Sequence, residues 1–173
     1  MRNALRTLTL VVACAALLSI DLQACGDKYL RLASRLGAGY RAEHPATVLI
    51  YMPPDSSVLA AAKALRLHDA LRRARHQVHT VERSEDLAAA LAARTYDIVL
   101  ADASAATTLT PMLRRAVGRP SLVPVFGPRQ TKDQLADVRR SLGCLIAARE
   151  RVSYAIAEID HVMEQRRGAS STP

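Results

Sequence analysis

The two carboxylates best placed to do chemistry flank one short apolar run. Asp97 and Asp102 enclose Ile98-Val99-Leu100, a run typical of a strand that is buried on both faces. Residues five apart on a strand point to opposite faces of the sheet, so these aspartates cannot act together as a general acid and a general base. Asp102 therefore stands alone at the carboxyl end of its strand, where it can cap the following turn or be solvated.

Three histidines, His68, His76 and His79, lie close together in the sequence. A structural zinc site needs four ligands, and no cysteine or set of carboxylates near these histidines completes one. We interpret them as surface histidines beside a helix-to-strand turn, with a metal-ligand role as the alternative. The sequence contains no Gly-x-Ser-x-Gly, His-Glu-x-x-His or Cys-x-x-Cys motif. We therefore expect no catalytic residue, no metal site and no cofactor.

Short apolar runs alternate with helical stretches from residue 47 onward. The predicted strands are 48–51, 78–81, 98–102, 122–126 and 144–147, and the predicted helices are 58–75, 84–94, 110–117, 131–141 and 152–166. Strands that alternate with helices of this length indicate repeated βαβ units. The predicted fold class is α/β: one small, doubly wound domain with a mostly parallel five-stranded sheet of the flavodoxin-like type.

The chain begins with the features of an export signal. Arg2 and Arg6 precede an apolar run over residues 7–20, which is shorter than the roughly 20 residues that a membrane-spanning helix needs. Ala24 supplies a small residue at a cleavage point. We predict a signal peptide over 1–24, with an uncleaved N-terminal anchor as the alternative. The other predicted segments are an entry segment over 25–46, the α/β domain over 47–167 and a disordered polar tail over 168–173.

The end of the predicted signal, Leu22-Gln23-Ala24-Cys25, resembles the lipobox of bacterial lipoproteins. This resemblance implies that Cys25 is lipidated and becomes the N-terminus of the mature protein, which is then exported and attached to the membrane. Without the lipid, Cys25 and Cys144 can form a disulfide in an oxidising periplasm and close a very long loop. The two fates exclude each other because they use the same sulfur.

The middle of the chain resembles the receiver domain of bacterial response regulators. The similarity lies in Leu71-Arg72-Arg73-Ala74-Arg75, in Glu85-Asp86-Leu87 and in Tyr96-Asp97-Ile98-Val99-Leu100-Ala101-Asp102. The last phrase matches the third strand of the family, which ends in the phospho-accepting aspartate. The resemblance therefore implies that Asp102 occupies that position, and the order of strands and helices extends the similarity over 47–165.

Most of the receiver site is missing from the sequence. The family has an acidic pair after the first strand that holds Mg²⁺, a hydroxyl residue after the fourth strand and a lysine after the fifth. Met52-Pro53 stand at the acidic pair, Gly127-Pro128 follow the fourth strand, and no lysine lies near Ile146-Ala147. We therefore expect Asp102 to be a degenerate phospho-acceptor position that does not take part in phosphotransfer.

The chain is strongly basic, with a formal net charge of +8 and four arginine pairs. The pairs are Arg72/Arg73, Arg114/Arg115, Arg139/Arg140 and Arg166/Arg167. Because they are scattered along the sequence, we interpret them as solvated helix faces, with an anionic membrane surface as the alternative partner. The chain has no Trp and a single Phe, which argues against a nucleic-acid partner.

These observations predict an exported, noncatalytic, receiver-like protein that binds an unknown protein partner in the cell envelope. The alternative is a periplasmic small-ligand-binding protein that uses the crevice at the carboxyl ends of the strands, near residues 52–57 and 102–107. A concave pocket with converging polar groups favours ligand binding, whereas a proline-filled edge favours the interaction module.

Overall fold

The computed structural model describes residues 41–128, 131, 133, 135–136, 144–148 and 151–170. The predicted signal peptide, the entry segment as far as residue 40 and most of the predicted helix 131–141 lie outside these residues. The strands are β1 (Thr47–Tyr51), β2 (Gln77–Val81), β3 (Ile98–Asp102), β4 (Ser121–Phe126) and β5 (Ile146–Ala147). The helices of the described chain are α1 (Ser57–Leu65), α2 (Leu67–Arg73), α3 (Ser84–Ala93), α4 (Ala106–Arg115) and α5 (Val152–Ser170).

The five strands form one parallel sheet in the order β2-β1-β3-β4-β5. The chain first moves outward from β1 to β2 and then returns past β1 to β3. The carboxyl ends of β1 and β3 therefore mark the point where the winding direction reverses. This is the flavodoxin-like strand order, and the predicted α/β, doubly wound fold class is confirmed.

The central strands are buried on both faces, as their unbroken apolar runs predict. Val48 and Ile50 of β1 belong to an apolar cluster that includes α1, α2 and α5. Leu49, between them, belongs to a second cluster that includes α3 and α4. Side chains alternate between the two faces of a strand, so β1 supplies both cores at once. The result is a three-layer arrangement with helices on both sides of the sheet.

Part of the predicted entry segment belongs to this domain. Ala42 and Ala46 are buried in the cluster beneath α1, α2 and α5. The N–H of Ala42 donates to the carbonyl of Ala74 at 2.8 Å, and the carbonyl of Ala46 accepts from Gln77 N–H at 2.9 Å. These bonds extend the parallel pairing of β1 and β2 beyond the start of both strands.

The single helix predicted over 58–75 is wrong, because the chain breaks it at Arg66. Arg66 adopts the left-handed conformation, with φ of 46°, and separates α1 from α2. Before the break, Val58, Ala61 and Leu65 are buried at helical spacing. After it the buried stripe restarts at Leu67, only two residues later, which one continuous helix would turn away from the core. The break resets the phase of the apolar stripe.

The helix predicted to start at Thr110-Pro111 begins earlier. A short 3₁₀ turn, Ala103–Ala105, leads directly into α4, and Pro111 lies inside that helix. Proline in a helix removes one backbone donor. The Thr110 hydroxyl donates to the Ala106 carbonyl at 2.7 Å, a local bond that accompanies the interruption.

The last helix is longer than predicted. α5 runs for 19 residues to Ser170, so residues 168–170 of the predicted disordered tail are helical, and residues 171–173 lie outside the described chain. The guanidinium of Arg166 donates to the carbonyls of Gly118 and Arg119 at 3.0 and 2.9 Å, which ties this end of the helix to the domain. None of the helices in the described residues combines the length and apolar character needed to cross a membrane.

We expect Gly118→Ala and Gly168→Ala to shift stability in opposite directions. Gly118 has φ of 78°, and an added Cβ would overlap Thr95 Cγ2, so G118A should lower the free energy of unfolding by about 1–3 kcal/mol. Gly168 lies in α5 with open space around it, so G168A should raise that free energy by up to about 1 kcal/mol. Urea unfolding measures both. Thr95→Ser, which removes the overlapping methyl group, should restore part of the G118A loss, and a G118A protein as stable as wild type would contradict the packing.

Candidate functional site

The carboxylate of Asp102 joins three elements at the point where the winding direction reverses. Its Oδ2 accepts from the backbone N–H of Ser57 at 2.7 Å. Its Oδ1 accepts from the N–H and the hydroxyl of Ser104, at 2.9 and 2.7 Å. Asp102 therefore connects the end of β3, the first turn of α1 and the 3₁₀ turn that leads into α4.

Local sequence explains why these groups meet. An aspartate commonly accepts from the backbone two residues further on, and Ser104 stands at that spacing from Asp102. At the start of α1 the Ser56 hydroxyl accepts from Leu59 N–H at 3.1 Å and caps the helix. The N–H of Ser57 is another of the donors that a helix leaves unpaired at its N-terminus, and Asp102 satisfies it from across the sheet. The positive end of the α1 dipole favours a carboxylate here.

These hydrogen bonds also control the ionisation of Asp102. Partial burial works to raise its pKa, but the hydrogen bonds from Ser104 and Ser57 outweigh that effect and lower the pKa below its ordinary value. The side chain is therefore ionised at neutral pH. Both carboxylate oxygens accept hydrogen bonds within the fold.

Met52 and Pro53, which the sequence comparison placed at the acidic-pair position, have structural contacts in this fold. Met52 is half-buried against the core, and its N–H donates to the Val81 carbonyl at 2.8 Å. The Pro53 carbonyl accepts from Ser56 N–H at 3.2 Å in the turn before α1. Asp55 is exposed in that turn with φ of 62°. Within the described residues, no group of three or more His, Cys, Asp or Glu side chains is placed to hold a metal ion.

The described residues that follow β4 and β5 take part in backbone contacts. Gly127 is buried and Pro128 is exposed directly after β4. The carbonyl of Thr131 accepts from Leu135 N–H at 3.1 Å, in a short described stretch of helical chain. After β5, Ala148 N–H donates to the Phe126 carbonyl at 2.9 Å. The sequence places an alanine, not a lysine, at this point.

No family model matches the chain. No curated protein and no solved structure matches it either. The resemblance to receiver domains therefore stays a proposal.

Asp97 and Asp102, the two carboxylates that the sequence analysis rejected as an acid/base pair, are also separate in the structure. Asp97 lies at the opposite end of β3, where its Oδ2 accepts from Thr47 N–H at 2.8 Å.

The prediction that all three histidines lie on the surface is wrong for His76. Its side chain is 4 % exposed, and its Nδ1 accepts from Ala46 N–H at 3.1 Å. Burial lowers the pKa of His76 to about 4, so the ring is neutral at physiological pH. His68 is exposed, whereas the ring of His79 packs edge-on against Tyr96 with 5.7 Å between ring centroids. The turn before β2 is covered by the entry segment, which is why His76 is buried.

Cys144 is a half-buried free thiol at the start of β5. Its Sγ lies 4.0 Å from the Leu122 carbonyl. Burial, together with the nearby charge of Glu158, raises the pKa of the Cys144 thiol to about 11. The thiol is therefore protonated and a poor nucleophile at neutral pH. Cys25 lies outside the described residues, so its lipidation and its disulfide with Cys144 both stay predictions.

Sequence reasoning missed two carboxylates of α5. Glu158 is 2 % exposed, and its Oε1 accepts from Leu145 N–H at 2.9 Å, just before β5. Asp160 accepts from the backbone N–H groups of His44 and Glu43, yet burial dominates and raises its pKa to about 6. The available signal was the position of Glu158 within an otherwise apolar helix stripe, between the buried residues Ile156 and Ile159. Both carboxylates hold neighbouring chain onto α5.

A cavity of about 150 Å³ lies at the other edge of the sheet, where β4 begins and α4 ends. Its lining residues are Thr110, Leu113, Arg114, Arg119, Pro120 and Leu122. This cavity is remote from the predicted crevice near residues 52–57 and 102–107, because β4 and β3 run parallel and their opposite ends are involved.

Replacing Asp102 with alanine removes the acceptor of the Ser57 and Ser104 hydrogen bonds. We expect D102A to lower the free energy of unfolding by about 1–3 kcal/mol, the range for hydrogen bonds to a charged group. The folded-state pKa of Asp102 lies below the ordinary 3.8, so this contribution is present above about pH 4 and is lost as the pH falls through the folded-state pKa. Urea unfolding of both proteins across acid and neutral pH measures the difference.

Asp55→Asn provides the matched control for D102A. Asp55 is an exposed aspartate in a left-handed conformation that asparagine tolerates equally well. We expect D55N to change the free energy of unfolding by less than about 0.5 kcal/mol at every pH. A D102A loss no larger than the D55N change would show that the Asp102 hydrogen bonds do not stabilise the fold.

Proposed function

We propose that this chain is a noncatalytic, receiver-like interaction module that is exported to the cell envelope and attached there through a lipid on Cys25. One observation carries the noncatalytic part. The carboxylate at the phospho-acceptor position accepts three hydrogen bonds from Ser57 and Ser104, and so serves as a crosslink in the fold.

Phosphotransfer makes demands that this edge does not meet. A nucleophilic carboxylate oxygen must approach phosphorus, and a divalent cation with oxygen ligands must offset the charge of the phosphoryl group. At Asp102, one oxygen faces the Ser57 N–H at 2.7 Å, so the attack would break a contact between β3 and α1. At the acidic-pair position the chain offers Met52 and Pro53, which carry no side-chain oxygen.

The same contact supports protein binding over small-ligand binding at this edge. The Asp102–Ser57 hydrogen bond spans the gap between segments 52–57 and 102–107, where a ligand crevice would lie. Pro53 and Pro54 occupy the first of these segments and stiffen it. A filled, rigid edge of this kind suits a flat contact with another protein. The second surface that we propose for a partner is the outer side of α5, where Tyr154 is 42 % exposed.

Export and attachment are supported by the sequence of the first 25 residues. Two arginines, a short apolar run and Ala24 before Cys25 have the order of a lipoprotein signal.

Beryllofluoride with Mg²⁺, which mimics a phosphorylated aspartate, tests the loss of phosphotransfer. We expect the backbone amide NMR signals of Ser57 and Ser104 to stay in place when beryllofluoride and Mg²⁺ are added, since Asp102 keeps its internal donors. A shift that occurs in wild type and in Asp55→Asn but disappears in Asp102→Asn would contradict the proposal. An active receiver domain in the same buffer confirms that the reagent is competent.

Intact mass and membrane fractionation of the expressed protein test the attachment. We expect a diacylglyceryl mass on Cys25 and recovery in the membrane fraction after a high-salt wash, and we expect Cys25→Ser to lose both. A mass lower by two hydrogens, with a peptide that joins Cys25 to Cys144, would assign the disulfide instead. Cys144→Ser is the matched control, because it removes the disulfide partner and leaves the lipidation site intact.

A further inference from the structure

Arginines that are scattered along the sequence converge at one edge of the domain. In a parallel α/β fold, the C-termini of the helices and the loops that precede the strands all lie at the amino edge of the sheet. We name the arginines of this region the basic edge. They are Arg41, Arg72, Arg73, Arg75, Arg94, Arg114, Arg115, Arg119, Arg166 and Arg167. The three described pairs lie in helices that end at this edge, so their distance in the sequence does not separate them in the fold, and the interpretation as solvated helix faces stays a prediction.

Backbone hydrogen bonds show that the loops of the basic edge are continuous. Ala42 N–H, next to Arg41, donates to Ala74, which lies between Arg73 and Arg75. Asp97 links the neighbouring loops, since its N–H donates to Thr47 and its carbonyl accepts from Ser121 N–H, both at 2.9 Å. Arg166 joins the same surface through the carbonyls of Gly118 and Arg119.

Charge is polarised between the two edges of the domain. The ten arginines of the basic edge outnumber the carboxylates that lie in its loops, bond to them or lie near the end of α5. These carboxylates are Glu43, Asp97, Glu158, Asp160 and Glu164, and Asp97 is already held by Thr47 N–H. The carboxyl edge instead collects acidic residues at the ends of β1, β2 and β3 and in the first turn of α3: Asp55, Glu82, Glu85, Asp86 and Asp102. The described basic residues at this edge are Arg83, which pairs with Glu85, and Arg151. An electric field from an anionic surface would orient the domain with the basic edge toward that surface.

Helix dipoles explain only part of this arrangement. Arginine in the last turn of a helix is favourable, which accounts for Arg72, Arg73, Arg114 and Arg115. Arg75 and Arg119 lie outside the helices and adopt left-handed conformations, with φ of 75° and 45°. Glycine or asparagine would fit that backbone with less strain. Arginines that keep strained backbone conformations on one surface indicate a functional role for their side chains there.

Apolar groups lie among these charges. Val117 is 62 % exposed between α4 and β4, and Met112 on α4 is 36 % exposed. Beside them is the cavity of about 150 Å³, which has Leu113, Pro120 and Leu122 in its lining and Arg114 and Arg119 in its walls. A surface that combines guanidinium groups with exposed apolar side chains matches the boundary between lipid headgroups and acyl chains.

We propose that the basic edge docks on a membrane surface rich in anionic phospholipid. The arginines bind headgroup phosphates, and Val117 and Met112 enter the layer beneath them. A nucleic acid is the weaker partner because the described aromatic rings lie away from the basic edge or inside the fold. Phe126 and Tyr51 lie at the carboxyl ends of their strands, Tyr154 lies in the first turn of α5, and Tyr96 is buried. The inference depends neither on the chemistry of Asp102 nor on a lipid at Cys25.

Sedimentation of the full chain with vesicles tests this surface. Partition onto vesicles of phosphatidylcholine mixed with phosphatidylglycerol is compared with partition onto phosphatidylcholine alone, and the ratio removes the contribution of the apolar N-terminal run. Each basic residue near an anionic surface contributes about fivefold, so Arg114→Gln with Arg115→Gln should lower the ratio roughly 10- to 30-fold. Arg114→Glu with Arg115→Glu should lower it further, and added salt should lower the wild-type ratio.

The control pair is Arg83→Glu with Arg151→Glu, two exposed basic residues at the carboxyl edge that give the same change in net charge as the glutamate pair. We expect this pair to keep more of the ratio than Arg114→Glu with Arg115→Glu, with thermal unfolding showing that all variants are folded. Equal losses in the two pairs would mean that net charge alone attracts the protein, and would overturn the proposal. Displacement from the vesicles by a DNA duplex that binds wild type but not R114Q/R115Q would assign the edge to nucleic acid instead. Either failure leaves the proposed function at the opposite edge untouched.

Discussion

The carboxylate of Asp102 holds together three elements at the carboxyl edge of this domain: the end of β3, the start of α1 and the turn that leads into α4. Asp102 accepts from α1 through Ser57 and from the turn after β3 through Ser104. The winding direction of the chain reverses between β1 and β3. In other proteins of this architecture, such a reversal leaves a crevice at the carboxyl ends of the strands, and ligands bind in it. Here the carboxylate of Asp102 accepts from Ser57 N–H at 2.7 Å across that position and so holds the end of β3 to the start of α1.

The parallel topology gives the two edges different characters. The helix that follows each strand begins near the carboxyl edge, where unpaired N–H groups and positive dipole ends favour acidic side chains. The helix that precedes each strand ends near the amino edge, where the arginines collect, and α1 and α2 share one crossover between these edges. Separation of charge along the strands is therefore a consequence of the fold, and the chain strengthens it by placing Arg75 and Arg119 in strained loop positions. We propose a protein contact for the carboxyl edge and an anionic membrane surface for the amino edge.

Sequence patterns predicted the sheet well because two signals are strong in this chain: continuous apolar runs in the strands and apolar residues at helical spacing between them. The apolar runs Val48-Leu49-Ile50 and Ile98-Val99-Leu100 lie in fully buried strands, and the alternation with helices fixed the α/β class. The pattern also placed Asp102 at the end of β3, and cap formation was among its expected roles. Its partner Ser57 could not be predicted, since it lies 45 residues away and meets Asp102 only through strand order.

Other features could not be predicted from the sequence because they depend on tertiary contacts. The burial of His76 follows from the entry segment lying over the turn before β2, through the bond from Ala46. The break at Arg66 had a signal in the two-residue step from Leu65 to Leu67, but no glycine marked it. The basic edge was hidden because sequence distance between the arginine pairs says little about spatial distance in a parallel fold.

The most direct test of the central claim, that Asp102 is an internal crosslink, is a carbon NMR titration of its side-chain carboxyl group with and without Mg²⁺. The account predicts a midpoint below the ordinary 3.8 that Mg²⁺ does not move, because the stabilising donors are Ser57 and Ser104. A midpoint at or above 3.8, or one that Mg²⁺ displaces, would mean that the carboxylate is free to bind a cation, and would contradict the account.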